Sequence, residues 1–146
     1  MASWRDSVSQ AAQDDLDQLL NLALPFAEQC LTKYGEFFPF SIAIGVDGEP
    51  IFIATESSME EHPQSNDVIA ESYEALAAQR NSIRAAVVVS DVRLREQDSD
   101  AVYIATEHAE GLGLGLYQPY TLVPGGDVEL GDMSLVAGER VIWPEG

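Results

Sequence analysis

A continuous apolar run in the second half of the chain reads Ala85-Ala86-Val87-Val88-Val89. Small and β-branched residues without polar alternation are typical of a strand that is covered on both faces. The continuation from Asp91 to Arg95 alternates charged residues with Val92 and Leu94, which predicts a half-exposed end. The run therefore predicts a central strand of a sheet.

Helical periodicity predicts two helices before this strand. In the first helix, Ser7 begins a capping box, Pro25 predicts either a kink or two abutting helices, and Gly35 predicts the end. A solvated, helix-stabilising face near its start is expected from Asp14, Asp15 and Asp17. A second helix is predicted to begin at Ser65 or Asp67. Its inward residues are expected to be Ile69, Tyr73, Leu76 and Ala77.

Alternating apolar residues predict the remaining strands. Residues 38–46 and 51–54 flank the turn signal Asp47-Gly48, which predicts a β-hairpin. Residues 102–108 and 112–117 form a second alternating pair. Short edge strands are expected at residues 128–130, 133–136 and 141–143.

These elements follow the order α-β-β-α-β-β-β, with the short C-terminal strands after them. Runs of strands beside separate helices are typical of the α+β class. We therefore predict a single α+β domain over residues 1–146. It is expected to contain a largely antiparallel sheet of five or more strands with two helices packed on it.

The chain is strongly acidic, with 25 Asp and Glu against 7 Lys and Arg and a formal net charge of −18. Binding to nucleic acid needs clustered Lys and Arg, and an anionic membrane surface repels acidic chains, so neither partner is expected. The single cysteine, Cys30, excludes an internal disulfide and every Cys-based zinc site. Because no basic start or long apolar run is present, we expect a cytoplasmic protein.

The glycines of residues 111–115 invite comparison with nucleotide-binding loops. The dinucleotide motif G-x-G-x-x-G needs a glycine at position 116, which is Leu116, and no helical pattern follows. Gly113 and Gly115 instead predict that a helix, a backbone segment or a ligand approaches one face of this strand closely.

Two acidic clusters contain the only histidines. Glu60, Glu61 and His62 lie in one loop, whereas Glu107, His108 and Glu110 lie at the end of a strand. Neither cluster has the spacing of a metal motif, and neighbouring residues on a strand point to opposite faces. Gly-x-Ser-x-Gly is absent, and Cys30 on an apolar helix face is expected to be inert. We expect no catalytic residue, no metal site and no cofactor.

Aromatic residues concentrate at predicted strand ends. Strand alternation places Phe37 opposite Phe38 and Phe40, on an exposed face. There it is expected to join Tyr117 or Tyr120 as an anchor for another protein.

Three short motifs carry a resemblance: the hexapeptide Gly35-Glu36-Phe37-Phe38-Pro39-Phe40, the turn Asp47-Gly48 and the strand Leu116-Tyr117-Gln118-Pro119-Tyr120. With these motifs the chain resembles short acidic bacterial proteins that have no assigned function. The order of elements is also similar to roadblock or profilin-like scaffolds, although a third helix after the last strands is missing. That resemblance implies the binding of partners or small ligands.

Three functional hypotheses follow. The first is a non-enzymatic protein-interaction domain, an acidic inhibitor or immunity-like binder of a basic partner, although solubility or salt adaptation also explains the charge. Its contact residues are expected to be Phe37, Glu60, Glu61, Glu107 and Glu110. The second hypothesis is a small-ligand-binding or metal-dependent enzyme that uses the Gly113 and Gly115 face, with His108 and Glu107 nearby. The third is a homodimeric scaffold.

Overall fold

The computed structural model describes residues 8–53, 65–95, 98–125 and 127–144. Within these residues the predicted α+β class and the order α-β-β-α-β-β-β are confirmed, and two short strands follow. The helices are α1 (Gln10–Tyr34) and α2 (Ser65–Ala78). The strands are β1 (Phe40–Gly45), β2 (Pro50–Ile53), β3 (Ile83–Leu94), β4 (Ser99–His108), β5 (Leu112–Leu122), β6 (Val128–Leu130) and β7 (Ser134–Ala137).

The strands form one sheet in the order β2-β1-β3-β4-β5-β6, and every described pair is antiparallel. Strand β7 also pairs with β5, along residues 114–117, so β6 and β7 share the same edge of β5. The turn between β1 and β2 contains Gly48 at φ 89°, a left-handed conformation that glycine adopts without steric cost. The predicted hairpin is therefore confirmed.

Strand β3 separates two apolar cores. On the face covered by α1, here called the α1 face, Val87 packs with Leu19 of the helix. On the opposite α2 face, Ala86 and Val88 pack with Leu76 of α2. Since neighbouring residues of β3 point alternately into the two cores, the strand needs apolar residues at consecutive positions. The prediction of a central, doubly covered strand is confirmed.

Helix α1 continues through Pro25 as one element. Proline removes a backbone hydrogen bond to residue 21, and both Pro25 and Asn21 are exposed, where water can satisfy the carbonyl. The helix is capped by Ser9, whose hydroxyl oxygen accepts the Ala12 N–H. Ser7 lies outside the described residues. Gly35 ends the helix at φ 75°, as predicted.

One detail of the sequence prediction is wrong. Residues 141–143 form no strand, and instead belong to an irregular C-terminal tail, residues 138–144. In α2 the predicted inward residues Ile69, Tyr73 and Leu76 do pack against the α2-face core, and Val68 and Ser72 are buried as well. Ser72 is tolerated in this position because its hydroxyl donates to the Val68 carbonyl oxygen at 2.7 Å.

The C-terminal tail crosses β5 at Gly113. A Cβ atom added to Gly113 would lie 2.8 Å from the Gly138 carbonyl oxygen and 3.0 Å from the Glu139 carbonyl oxygen. A Cβ atom on Gly138 would in turn lie 2.7 Å from the Leu114 nitrogen. The close approach predicted for the glycine face is thus an approach of backbone to backbone. At Gly115 the same space is taken by the ring of Tyr103.

Replacing Gly113 with alanine should destabilise the fold by about 1–3 kcal/mol, because the new methyl group overlaps backbone atoms that cannot move independently. Urea unfolding of Gly113→Ala measures the loss. Gly131→Ala is the milder comparison, since its Cβ atom would lie 3.2 Å from the Pro119 Cβ atom and no closer than 3.8 Å to the Pro119 carbonyl oxygen. A loss for Gly113→Ala no larger than that for Gly131→Ala would contradict the close backbone approach at Gly113.

Candidate functional site

The C-terminal tail is anchored by the side chain of Glu107 on β4. This carboxylate is 4% exposed. Its Oε2 atom accepts the Ile142 N–H at 2.7 Å, and its Oε1 atom accepts the Val141 N–H. A buried carboxylate that receives two backbone N–H groups supplies the hydrogen bonds that this irregular segment lacks. The expectation that Glu107 is an exposed contact residue is therefore wrong.

The rest of the tail closes over the end of α2. Ile142 is buried in the α2-face core with Leu76 and Ile83. The Trp143 indole Nε1 donates to the Arg80 carbonyl oxygen at 3.3 Å, just beyond the helix. The tail therefore completes the second core rather than extending the sheet.

Burial disfavours the ionised form of the Glu107 carboxylate that anchors the tail. Burial raises the pKa of Glu107, and the N–H groups of the tail and the charge of Arg140 offset this effect only in part. The tail is thus held by a group whose ionised form is costly to bury, which makes each of its hydrogen bonds important.

A cavity of about 470 Å³ lies between α2, the α2 face of the sheet and the tail. We call it the tyrosine groove. One wall is formed by α2, the floor by β3, β4 and β5, and the other wall by β7 and the tail. The residues that line it are Ile69, Tyr73, Val88, Ser90, Tyr103, Ala105, Thr106, Leu114, Tyr117, Val136, Ala137, Gly138 and Glu139.

Aromatic rings and hydroxyl groups line the groove. The rings of Tyr103 and Tyr117 lie side by side, with centroids 4.6 Å apart and planes at 33°. Burial, followed by the charges of Glu107 and nearby acidic groups, raises the pKa of Tyr73 to about 12. Burial and the neighbouring Tyr117 and Glu139 also raise the pKa of Tyr103. The hydroxyl groups of Tyr73 and Tyr103 are therefore neutral at physiological pH.

His108 points to the α1 face, opposite Glu107, and is 4% exposed. Its Nδ1 atom accepts the Glu110 N–H at 3.1 Å, so in the neutral ring Nε2 carries the proton. Nε2 lies 3.0 Å from Oδ2 of Asp15 and donates to it. Both ring nitrogens thus have partners, and the imidazole has no free position for a metal or a substrate proton.

Asp15 connects α1 to the sheet through this histidine and through Arg84. Arg84 binds the carboxylate with two hydrogen bonds of 2.9 Å. Burial raises the pKa of Asp15, but the hydrogen bonds from Arg84 and His108 outweigh it, so the net effect is a lowered pKa. Asp15 is 5% exposed, and the expectation that it belongs to a solvated helix face is wrong.

Glu110 extends the same network to the start of α1. Its Oε1 atom accepts the Ser9 N–H at 3.0 Å, and its Oε2 atom accepts the Ser9 hydroxyl at 2.5 Å. These hydrogen bonds lower the pKa of Glu110. The turn between β4 and β5 is thereby tied to the helix N-terminus.

Phe37 does not form the predicted exposed anchor, because it is 8% exposed and packs into the α1-face core. It lies in the irregular segment between α1 and β1, where the alternation of a strand does not apply. Its ring packs against Phe40 at 5.9 Å and borders an apolar cavity of about 480 Å³. Tyr117 faces the other side of the sheet, and Tyr120 is buried and donates to Asp91 at 2.7 Å.

The remaining candidate residues are placed as follows. Glu60, Glu61 and His62 lie outside the described residues. Gly113 and Gly115 lie on the α2 face beside the tyrosine groove, where tail and ring atoms fill the space above them. In the described part of the chain, no group of three or more His, Cys, Asp or Glu residues is arranged to hold a metal ion.

None of the described helices combines the length and the apolar character that a membrane span requires. Comparisons with protein families, curated proteins and solved structures found no match. Functional inference therefore depends on the geometry of the chain itself.

Asp15→Asn should destabilise the protein by about 2 kcal/mol at neutral pH, because Arg84 and His108 lose a charged partner. The folded pKa of Asp15 lies below its ordinary value of 3.8. Its contribution is therefore complete above that pH and disappears as the pH falls through the folded pKa. The stability difference between wild type and Asp15→Asn, measured by urea unfolding, should shrink in acid. Asp14→Asn is the exposed control, and a difference independent of pH would contradict the assigned ion pair.

Glu107→Gln should loosen the C-terminal tail, because an amide NH₂ group replaces one acceptor oxygen and leaves a backbone N–H unpaired. We expect a loss of about 1–3 kcal/mol and faster hydrogen exchange at the Val141 and Ile142 amides. Glu74→Gln, an exposed change on α2, is the control. Unchanged exchange at both tail amides would rule out the anchoring role.

Proposed function

We propose that this chain is a non-enzymatic, cytoplasmic binding protein that recognises a basic protein partner through its α2 face. The observation that carries the proposal is the tyrosine groove, whose only charged lining residue in the described part of the chain is Glu139. A groove with aromatic rings, neutral hydroxyls and a carboxylate is suited to cationic groups.

The distribution of charge supports a basic partner. Arg84 is neutralised by the buried Asp15, and Arg93 is paired with Asp98 and Asp100. Exposed carboxylates occur on both helices, on the hairpin and near the C-terminal strands; they include Asp14, Glu28, Asp47, Glu49, Glu74, Glu129, Asp132 and Glu139. The resulting negative field accelerates encounters with a cationic surface and repels acidic ones.

The surface beside the groove supports a ligand that is a polypeptide rather than a small molecule. All four residues of β7 are exposed, and Leu135, at 50% exposure, and Val136 are large and apolar. Val136 also lines the tyrosine groove. An exposed apolar strand next to a pocket offers contact area for a chain that continues past the pocket.

The other two hypotheses receive less support. A catalytic site on the glycine face would need Glu107 and His108 together, but these side chains lie on opposite faces and both are occupied by structural hydrogen bonds. A homodimer would bring together two chains that each carry a charge of −18, which opposes self-association.

Selection of a randomised peptide-display library on the immobilised chain tests this function. We expect the recovered peptides to be enriched in Lys or Arg. Synthetic copies should bind about tenfold more weakly when salt is raised from about 50 to about 300 mM. Peptides without cationic residues, or affinities that do not respond to salt, would contradict the proposal.

A further inference from the structure

We propose that the tyrosine groove is the receptor for a single lysine or arginine side chain of the basic partner, with Glu139 at its rim as the residue that selects the charge. This inference rests on the proposed function and names the site of recognition within it. Its three elements are the phenol rings, the carboxylates and the neutral hydroxyl groups.

The rings provide the apolar and cation-binding surface. Tyr103 and Tyr117 form a tilted pair on the floor, and Tyr73 faces them from α2. An aliphatic stem packs favourably on such rings, and an ammonium or guanidinium group is attracted to their electron-rich faces. Tyr103 packs against Gly115, where an added Cβ atom would lie 2.9 Å from the tyrosine hydroxyl oxygen.

The charges around the groove favour a cation. Glu139 is exposed and lines the tail side, close enough to Tyr73 and Tyr103 to act on both hydroxyl groups. Glu107 lies behind the tail, where Arg140 offsets it. No Lys or Arg is found among the described lining residues. An anionic ligand would therefore meet a carboxylate and no cation among these lining residues.

The hydroxyl groups supply acceptors for the N–H groups of the ligand. Ser90 on β3 and the tyrosines are neutral donors and acceptors, so their lone pairs can replace the water that a cation loses on entry. A cavity of about 470 Å³ accommodates one long side chain with part of its flanking backbone. The exposed strand β7 lies where that backbone would leave the groove.

The test compares short peptides that differ only in their central residue: lysine, norleucine or N-acetyl-lysine. Binding is followed by NMR through the tyrosine ring signals of the full chain. The lysine peptide should shift the signals of Tyr73, Tyr103 and Tyr117, and the two uncharged peptides should bind at least about fivefold more weakly.

Two charge variants distinguish the local effect of Glu139 in the groove from the effect of the overall negative charge of the protein. Glu139→Gln should weaken the lysine peptide about fivefold. Glu28→Gln, which removes one exposed charge from α1 on the other side of the sheet, should leave the affinity unchanged. Both substitutions change the net charge by the same amount, so a difference between them is local.

Three results would overturn this inference: equal binding of the norleucine peptide, equal weakening by both charge variants, or shifts only in tyrosines outside the groove. If cationic peptides are still selected and respond to salt, the proposed function stands and only the receptor site is wrong. If no cationic peptide binds, the proposed function fails as well.

Discussion

The buried carboxylate of Glu107 holds the C-terminal tail across the α2 face of the sheet. Its oxygens accept two successive N–H groups of the tail, which brings Ile142 into the second core. The tail passes over β5 so closely that only glycine is accommodated at position 113. Because Gly138 and Glu139 of the tail line the tyrosine groove, this interaction helps to hold one wall of the candidate site.

A corresponding network fixes the other face. Asp15 of α1 binds Arg84 and His108 of the sheet, and Glu110 secures the first residue before the helix. Buried polar groups are tolerated here because each of these groups has a partner. The acidic residues of this chain therefore have two roles: a few buried carboxylates connect its layers, and the exposed majority creates the negative field.

Local patterns in the sequence predicted much of the fold. The apolar run at residues 85–89 predicted the doubly covered strand, Gly48 predicted the hairpin turn, and Gly35 predicted the end of α1. Phe37 was misplaced because the alternation of β1 was extended into residues before the strand begins at Phe40. Both the correct and the wrong predictions in this group were made from the residues immediately adjacent in the sequence.

The candidate site and the buried ion pairs are formed by contacts between residues far apart in the sequence, which local patterns do not predict. Asp15 and His108 are 93 positions apart, and Glu107 and Ile142 are 35 apart. In the sequence, a buried carboxylate such as Asp15 or Glu107 cannot be distinguished from an exposed one. Gly113 and Gly115 indicated a close approach to the correct face of β5, and Tyr117 was predicted as a binding residue. Tyr73 was predicted only as an inward residue of α2, and Tyr103 and Glu139 gave no signal, because each lies on a different element.

The most direct measurement is an isotope-filtered NOE experiment on the chain with labelled tyrosines and a bound lysine peptide. Recognition in the tyrosine groove predicts NOEs from the ε-methylene protons of lysine to the rings of Tyr103 and Tyr117, and from its side chain to Tyr73. NOEs confined to Tyr34 or Tyr120, or no NOEs to a tyrosine at saturation, would contradict the account.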